Sequence, residues 1–146
     1  MRIFLPLTAA DRSALTTGAT RLALDEGRLA WAVTAEARAD LNGDEEDLEY
    51  EAMQDAVHVA LTAAAPDQRI MILAGDVPTG DVTSGPEEAG LFGCRLQRPS
   101  TLRLASMHVS ELTAAGHEAS DTDPGLFWFD ASEAADALES LDRGPR

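Results

Sequence analysis

The sequence predicts a single α/β domain with a mixed sheet of five or six strands and helices packed on it. Residues 70–74 form an apolar run with apolar side chains at both parities, which is typical of a strand covered on both faces. Residues 44–64 precede it and carry apolar positions at helical spacing. The order of the early elements favours parallel pairing through right-handed crossovers, and a later strand pair favours an antiparallel edge. A two-layer α+β fold of ferredoxin-like kind is the alternative.

The first part of the chain alternates strands with short helices. A strand is expected from Arg2 to Pro6, and Thr8 then caps a helix, with Asp11 three residues later completing a variant of the capping box. Thr34 caps a second short helix, which Asn42–Gly43 ends. Between these helices a strand is predicted at residues 29–33, and residues 21–24 are expected to be a short extended piece.

The long helix and the apolar strand after it organise the prediction. Acidic residues 44–47 lie at the start of the helix, where carboxylates meet the positive end of the helix dipole. Pro66 ends the helix. The residues expected on its buried face are Tyr50, Met53, Val57, Ala60, Leu61 and Ala64.

The second half of the chain begins with a stretch rich in glycine, proline and acid, residues 78–90, for which we expect a mobile surface loop. A final helix follows, capped by Asp130 or Ser132. One domain is expected over residues 1–143, with residues 144–146 as a tail. Three further strands are predicted between the loop and the final helix, at residues 91–97, 101–109 and 126–129.

The charge balance excludes several classes of partner. Acidic residues number 26 against 11 basic ones, for a formal net charge of -15. Such a surface repels the phosphates of nucleic acids and anionic membrane surfaces. We therefore expect no nucleic-acid or membrane partner and leave an unknown protein as the candidate partner. The sequence does not indicate an oligomeric state.

Residue usage indicates the compartment and the absence of familiar cofactor motifs. Cys94 is the single cysteine, so no internal disulfide can form, and the cytoplasm is the expected location. The glycines at 75, 80 and 85 lack the spacing of phosphate-binding loops, so no cofactor is expected. Trp31 and Trp128 are predicted to be core residues.

Several blocks together resemble an uncharacterised actinobacterial family of small cytoplasmic proteins. The blocks cover nearly the whole chain: MRIFLPLT at 1–8, AVT at 32–34, DEEDLEYEAM at 44–53, GDVP at 75–78, MHV at 107–109 and FWFD at 127–130. Members of that family have no assigned activity, so the resemblance transfers no functional residue. Relative to the family pattern, the 78–90 loop is longer here.

Asp76 is the carboxylate that the fold prediction singles out. It follows the central strand, and ligands of open α/β sheets gather beyond the carboxyl ends of strands. Thr8, Thr34 and Asp130 also follow predicted strands. If the first strands are parallel, these four side chains lie at one edge of the sheet. The simpler interpretation is that the other three are helix caps and that Asp76 belongs to a turn.

The histidines suggest acid–base chemistry only through local spacing. Ser106 and His108 share one face of a predicted strand, which would bring a serine nucleophile close to its base. A catalytic arrangement would also need a third group to orient the base. His58 follows Asp55 by three residues on the long helix and could be oriented by it. For His117 the sequence suggests no partner.

Glu46 and Glu49 are the candidate metal ligands, since they are three residues apart on the long helix and carboxylate oxygens suit Mg²⁺ or Ca²⁺. The alternative is an acidic helix cap that interacts only with the helix dipole and solvent. No loop with calcium-binding spacing accompanies them.

Two hypotheses about function follow. The first is a non-enzymatic acidic binding or regulatory module that acts through protein contacts. The second is a small hydrolase-like enzyme with a carboxylate site at the sheet edge near Asp76, with His108 as a further candidate catalytic residue.

Overall fold

The computed structural model describes residues 1–144 as eight strands and five α-helices. The strands are β1 (Arg2–Pro6), β2 (Arg21–Leu24), β3 (Leu29–Ala32), β4 (Met71–Asp76), β5 (Val82–Ser84), β6 (Gly93–Leu96), β7 (Ser100–Ser110) and β8 (Leu126–Asp130). The helices are α1 (Ala9–Thr16), α2 (Ala35–Asp40), α3 (Glu45–Ala63), α4 (Ala114–Glu118) and α5 (Ala134–Asp142). Most predicted elements are confirmed, although the sheet has more strands than predicted.

The strands form one curled sheet in the order β2-β7-β4-β1-β3-β6-β5, and β8 also pairs with β7. Every pairing is antiparallel, so the predicted parallel pairs are wrong. The reason lies in β1. The crossover through α2 and α3 does bring β4 parallel to β3, but β1 lies between them and runs the other way. This split arrangement also occurs in ferredoxin-like folds.

Strand β4 lies inside the sheet and is covered on both faces, as predicted. Met71 and Leu73 pack on one side in a core shared with α1 and α5. Ile72 and Ala74 pack on the other side in a core shared with α3. Helices on both faces make three layers, so the two-layer alternative is wrong.

Helix α3 packs on β1, β3 and β4 through the predicted face, except that Tyr50 near its start is misplaced. Tyr50 is 53% exposed, whereas Leu48, Ala52 and Ala56 are buried. Alanine side chains at four-residue spacing let the helix approach the sheet closely, which the larger Tyr50 would prevent. Near the start of the helix the contact therefore uses these alanines and Leu48, and further along it uses the predicted Val57 and Leu61.

The 78–90 stretch contains regular structure that its composition did not predict. Val82–Ser84 form β5, which pairs with β6 at the edge of the sheet, between 3-10 turns at Thr79–Asp81 and Glu87–Ala89. Its mobility stays a prediction. The predicted tail begins at Gly144, and residues 145–146 lie outside the described residues.

Helix α1 is tied to the sheet by an ion pair. Asp11 is 3% exposed and accepts hydrogen bonds from Arg28 Nη2 at 2.7 Å and from the Thr8 backbone N–H at 3.0 Å. Arg28 also donates to the Pro6 carbonyl oxygen at 2.9 Å. The capping box predicted at Thr8 and Asp11 is confirmed.

Within residues 1–144, no helix combines the length and the apolar character needed to cross a membrane.

Candidate functional site

We call the α3-side surface of β2, β7 and β8 the uncovered face, because α3 does not pack on these three strands. Helix α3 packs on β1, β3 and β4, and part of the same face of the neighbouring strands is open to solvent. The exposed ones are Arg21, Ala23, Thr101, Arg103, Trp128 and Asp130. This face gathers charged, aromatic and hydrogen-bonding groups on a rigid sheet.

Ser106 and His108 form a direct contact on this face. Their shared orientation on β7 is confirmed, and Ser106 Oγ lies 2.9 Å from His108 Nε2. The register of the sheet places His108 between Ile72 of β4 and Trp128 of β8. Ala105 is an extra residue of β7 opposite the step from Ala74 to Gly75 on β4, and this bulge sets the orientation of the side chains that follow on β7.

His108 is held in its neutral form near pH 7. Burial, with a smaller contribution from the positive charge of Arg2, lowers the pKa of its imidazole to about 4. A neutral imidazole can accept the proton of the Ser106 hydroxyl, which is the first requirement for activating a serine. No carboxylate among residues 1–144 is hydrogen-bonded to His108, so the third member of a triad is not seen there.

Asp76 is bound to Arg2 and lies away from His108. Arg2 Nε and Nη2 donate to its two carboxylate oxygens at 3.0 and 3.2 Å. The Arg2 guanidinium lowers the pKa of Asp76 below its ordinary value. His108 pairs with Ile72 of β4, and Asp76 lies four residues further along that strand. This places Asp76 and His108 about 13 Å apart along the strand. The two candidate catalytic residues therefore share a face but do not meet.

The predicted cluster of Thr8, Thr34, Asp76 and Asp130 does not form. Because β1 and β4 are antiparallel, Thr8 and Asp76 lie at opposite ends of that ladder. Thr34 follows β3 and Asp130 ends β8, four strand spacings or roughly 19 Å apart along the sheet. Thr8, Thr34 and Asp130 are helix caps instead, each accepting a backbone N–H.

The acidic candidates for a metal site lie at the start of α3. Glu46 is exposed in the first turn, and Glu49 is half-buried toward Arg2 and Asp76. Burial raises the pKa of Glu49. Over the part of the chain that the structure describes, no three His, Cys, Asp or Glu side chains converge on one point as a metal site would require.

A separate cavity of about 400 Å³ lies between α3 and α4. His58 and His117 both line it, with ring centroids 6.1 Å apart, so His117 has a neighbour that the sequence could not identify. Burial raises the pKa of Asp55, but no hydrogen bond joins Asp55 to His58 within residues 1–144. The predicted orientation of His58 by Asp55 is therefore not observed.

Two aromatic predictions have different outcomes. Trp31 is buried, and its Nε1 donates to the Ala89 carbonyl oxygen at 3.1 Å. Trp128 is 61% exposed, so its prediction as a core residue is wrong. The aromatic run of β8 looks like a buried strand in sequence, but among the strands of residues 1–144 β8 pairs with β7 alone, and no element covers Trp128 on its α3-side face. Sequence reasoning missed the exposure of Trp128 and the pairing of Arg21 with Arg103 further along β7, because both depend on register.

Cys94 is an unreactive core residue. It is fully buried on β6, and its thiol donates to the Ala30 carbonyl oxygen at 3.4 Å. Burial raises the pKa of the thiol to about 12. The thiol is therefore protonated at neutral pH and does not act as a nucleophile there.

Comparison with known proteins gives a family without an assigned role. No curated protein and no solved structure matches the chain. One family model matches residues 1–138, nearly the whole described chain. The chain therefore belongs to the family of unknown function DUF6912.

Proposed function

We propose that this protein is a non-enzymatic binding module that holds a basic, extended segment of a partner protein along strand β8, with Trp128 as the anchor. The exposed indole on an edge strand carries the proposal. Tryptophan is enriched among residues that dominate binding energy, because it buries a large rigid surface. An exposed tryptophan on a monomeric surface gives no comparable benefit to folding.

The outer edge of β8 supports a docking mode by strand addition. β8 pairs with β7 alone among the strands of residues 1–144, so its other edge carries backbone groups without strand partners. It is five residues long, against three for the edge strand β5, and holds no lysine or proline that would protect it. Phe127, 42% exposed on the opposite face, offers a second apolar contact for alternate side chains of the added strand.

Charge selects the chemistry of the partner. A net charge of -15 repels a second copy of this chain and attracts a cationic segment. An arginine or lysine of that segment can stack on the indole of Trp128 while Asp130, two residues along β8, supplies a carboxylate. The cytoplasm is kept as the proposed compartment, because a chain with one cysteine has no internal disulfide to stabilise it outside the cell.

The test compares wild type with Trp128→Ala and the matched control Tyr50→Ala, which removes an exposed aromatic from α3. Quantitative affinity purification from the source cells is followed by binding measurements with the recombinant partner. We expect a partner retained by wild type and the control, with at least about tenfold weaker binding to Trp128→Ala and weaker binding at high salt. An identical set of bound proteins for wild type and Trp128→Ala would contradict the proposal.

The Ser106–His108 contact favours a second candidate, a hydrolase-like activity on this face. A neutral imidazole 2.9 Å from a serine hydroxyl is the arrangement of a nucleophile and its base. The Asp76 carboxylate lies too far along the strand to orient His108, so the activity rests on Ser106 and His108 alone. This candidate differs from the first in needing turnover.

Chromogenic ester hydrolysis tests the second candidate with Ser106→Ala and His108→Gln. The matched control is Ser110→Ala, another buried serine of β7, whose hydroxyl donates to the Leu112 carbonyl oxygen. Loss of about a thousandfold or more in kcat for both variants, with the control active, supports hydrolysis. Wild-type turnover no faster than that of Ser106→Ala retires it.

A further inference from the structure

Arg21 and Arg103 form a cross-strand pair of like charges. They are register partners on β2 and β7, both point out from the uncovered face, and both are exposed. Like charges directly opposite each other on a sheet destabilise it. In a chain with 26 acidic residues, a neutral or acidic residue at either position would remove this repulsion.

The pair lacks the direct ion pairs that five other arginines form. Arg2, Arg12, Arg28, Arg38 and Arg98 each form an ion pair with a carboxylate. Neither Arg21 nor Arg103 does so within residues 1–144, although Asp76 is the register partner of Arg103 on β4 and its carboxylate interacts with that charge at longer range. Their two guanidiniums are therefore available to a ligand, while the surface around them is mostly negative.

An open depression of about 520 Å³ brings the pair together with hydroxyl groups. Its lining includes Arg21, Arg103, Ser100, Thr101, Asp76 and Asp81. The two carboxylates are already engaged, because Asp76 is held by Arg2 and Asp81 accepts from Arg98 at 3.2 Å and from Ser100 at 2.7 Å. The free charge in the depression is thus positive.

We propose that Arg21 and Arg103 bind the phosphate group of a small phosphomonoester in this depression. Each guanidinium presents a planar fork of donors that matches two oxygens of one anion. A phosphate has enough oxygens and charge for both forks, whereas a carboxylate fills only one. The Thr101 hydroxyl, on the same face of β7, is placed to donate to a further oxygen.

The overall charge limits the size of the ligand. A polyanion such as a nucleic acid would extend past the depression onto acidic surface and be repelled. A single phosphate group feels mainly the two nearby arginines, because salt screens charges beyond about 10 Å. The ligand class is therefore a small molecule with one terminal phosphate. This site is independent of the Trp128 docking strand and stands whether or not a protein binds there.

The experiment titrates inorganic phosphate at constant ionic strength, with chloride, sulfate and acetate as comparison anions, and follows backbone amide shifts by NMR. The variants are Arg21→Gln, Arg103→Gln and the double variant. Arg95→Gln is the matched control, since Arg95 is an exposed strand arginine of β6 that forms no ion pair within the described chain. Thermal melts verify that each variant is folded.

We expect saturable shifts confined to residues near 21–23 and 101–103 in wild type and the control. The dissociation constant rises about tenfold in each single variant, and the shifts vanish in the double variant. An unchanged dissociation constant in both single variants would overturn the proposal. So would shifts no larger than those with chloride, or acetate binding as tight as phosphate.

Discussion

The Asp11–Arg28 ion pair gives the sharpest stability prediction. Asp11 is 3% exposed and the Arg28 side chain 17% exposed, so water screens the pair poorly. Asp11→Asn keeps the shape of the side chain and an oxygen for the Thr8 N–H but removes the charge. Breaking a buried pair costs about 3–5 kcal/mol because the other charge is left unpaired.

The retained Arg28 bond to the Pro6 carbonyl oxygen reduces this cost. We therefore expect Asp11→Asn to lower the free energy of unfolding by about 2–4 kcal/mol, or the melting temperature by about 6–12 °C for a chain of this length. Urea denaturation at 25 °C, followed by far-UV circular dichroism and tryptophan fluorescence, measures the change.

The matched control is Arg12→Gln, which breaks the ion pair of Arg12 with Asp142 on the surface. Both partners of that pair are exposed, so we expect a loss of about 1 kcal/mol or less. A double-mutant cycle with Arg28→Gln isolates the Asp11–Arg28 interaction. The reasoning fails if Asp11→Asn costs no more than the control, or if the cycle gives a coupling below about 0.5 kcal/mol.

Four further predictions concern the sheet. Ile72→Ala, in the fully buried centre of β4, should lower the free energy of unfolding by about 2–5 kcal/mol in urea denaturation. Gly75→Ala puts a Cβ 2.5 Å from the Arg103 carbonyl oxygen and should lower the free energy of unfolding by about 1–3 kcal/mol in the same assay. An unchanged value would mean that β4 and β7 move apart there without cost. Cys94, whose pKa is about 12, should react with a thiol reagent at pH 8 only after unfolding. His108 should titrate near pH 4 by NMR. The unfolded chain binds the His108 proton already near pH 6.5, so the free energy of unfolding should fall by about 2 kcal/mol between pH 7.5 and 5. His108→Gln should remove that part of the pH dependence.

Local patterns predicted the parts of the fold that depend on neighbouring residues in the chain. The cap at Thr8 and the apolar run before Asp76 needed only residues a few positions apart, and both predictions are confirmed. The 3-10 turns and β5 in residues 78–90 were missed because glycine and proline suit both irregular loops and tight turns beside a short strand.

The candidate site was only partly predictable. The shared face of Ser106 and His108 follows from the period of a strand, so their contact could be anticipated. The pairing of Arg21 with Arg103 could not, because it joins positions far apart in sequence through a register that no local pattern encodes. Trp128 was misplaced for the same reason, since burial of an edge residue depends on what covers it.

The sequence by itself determined that this chain folds around an apolar strand at residues 70–74 with an amphipathic helix before it, because the hydrophobic period depends only on neighbouring residues. It also determined that the surface is strongly acidic, because charge follows from composition. Only the tertiary structure decided that β1 lies between β3 and β4 and makes the sheet antiparallel. That insertion also decided which strands α3 covers and which outward side chains remain available for binding. Strand order is fixed by packing between distant segments, whose free energies no single segment reveals.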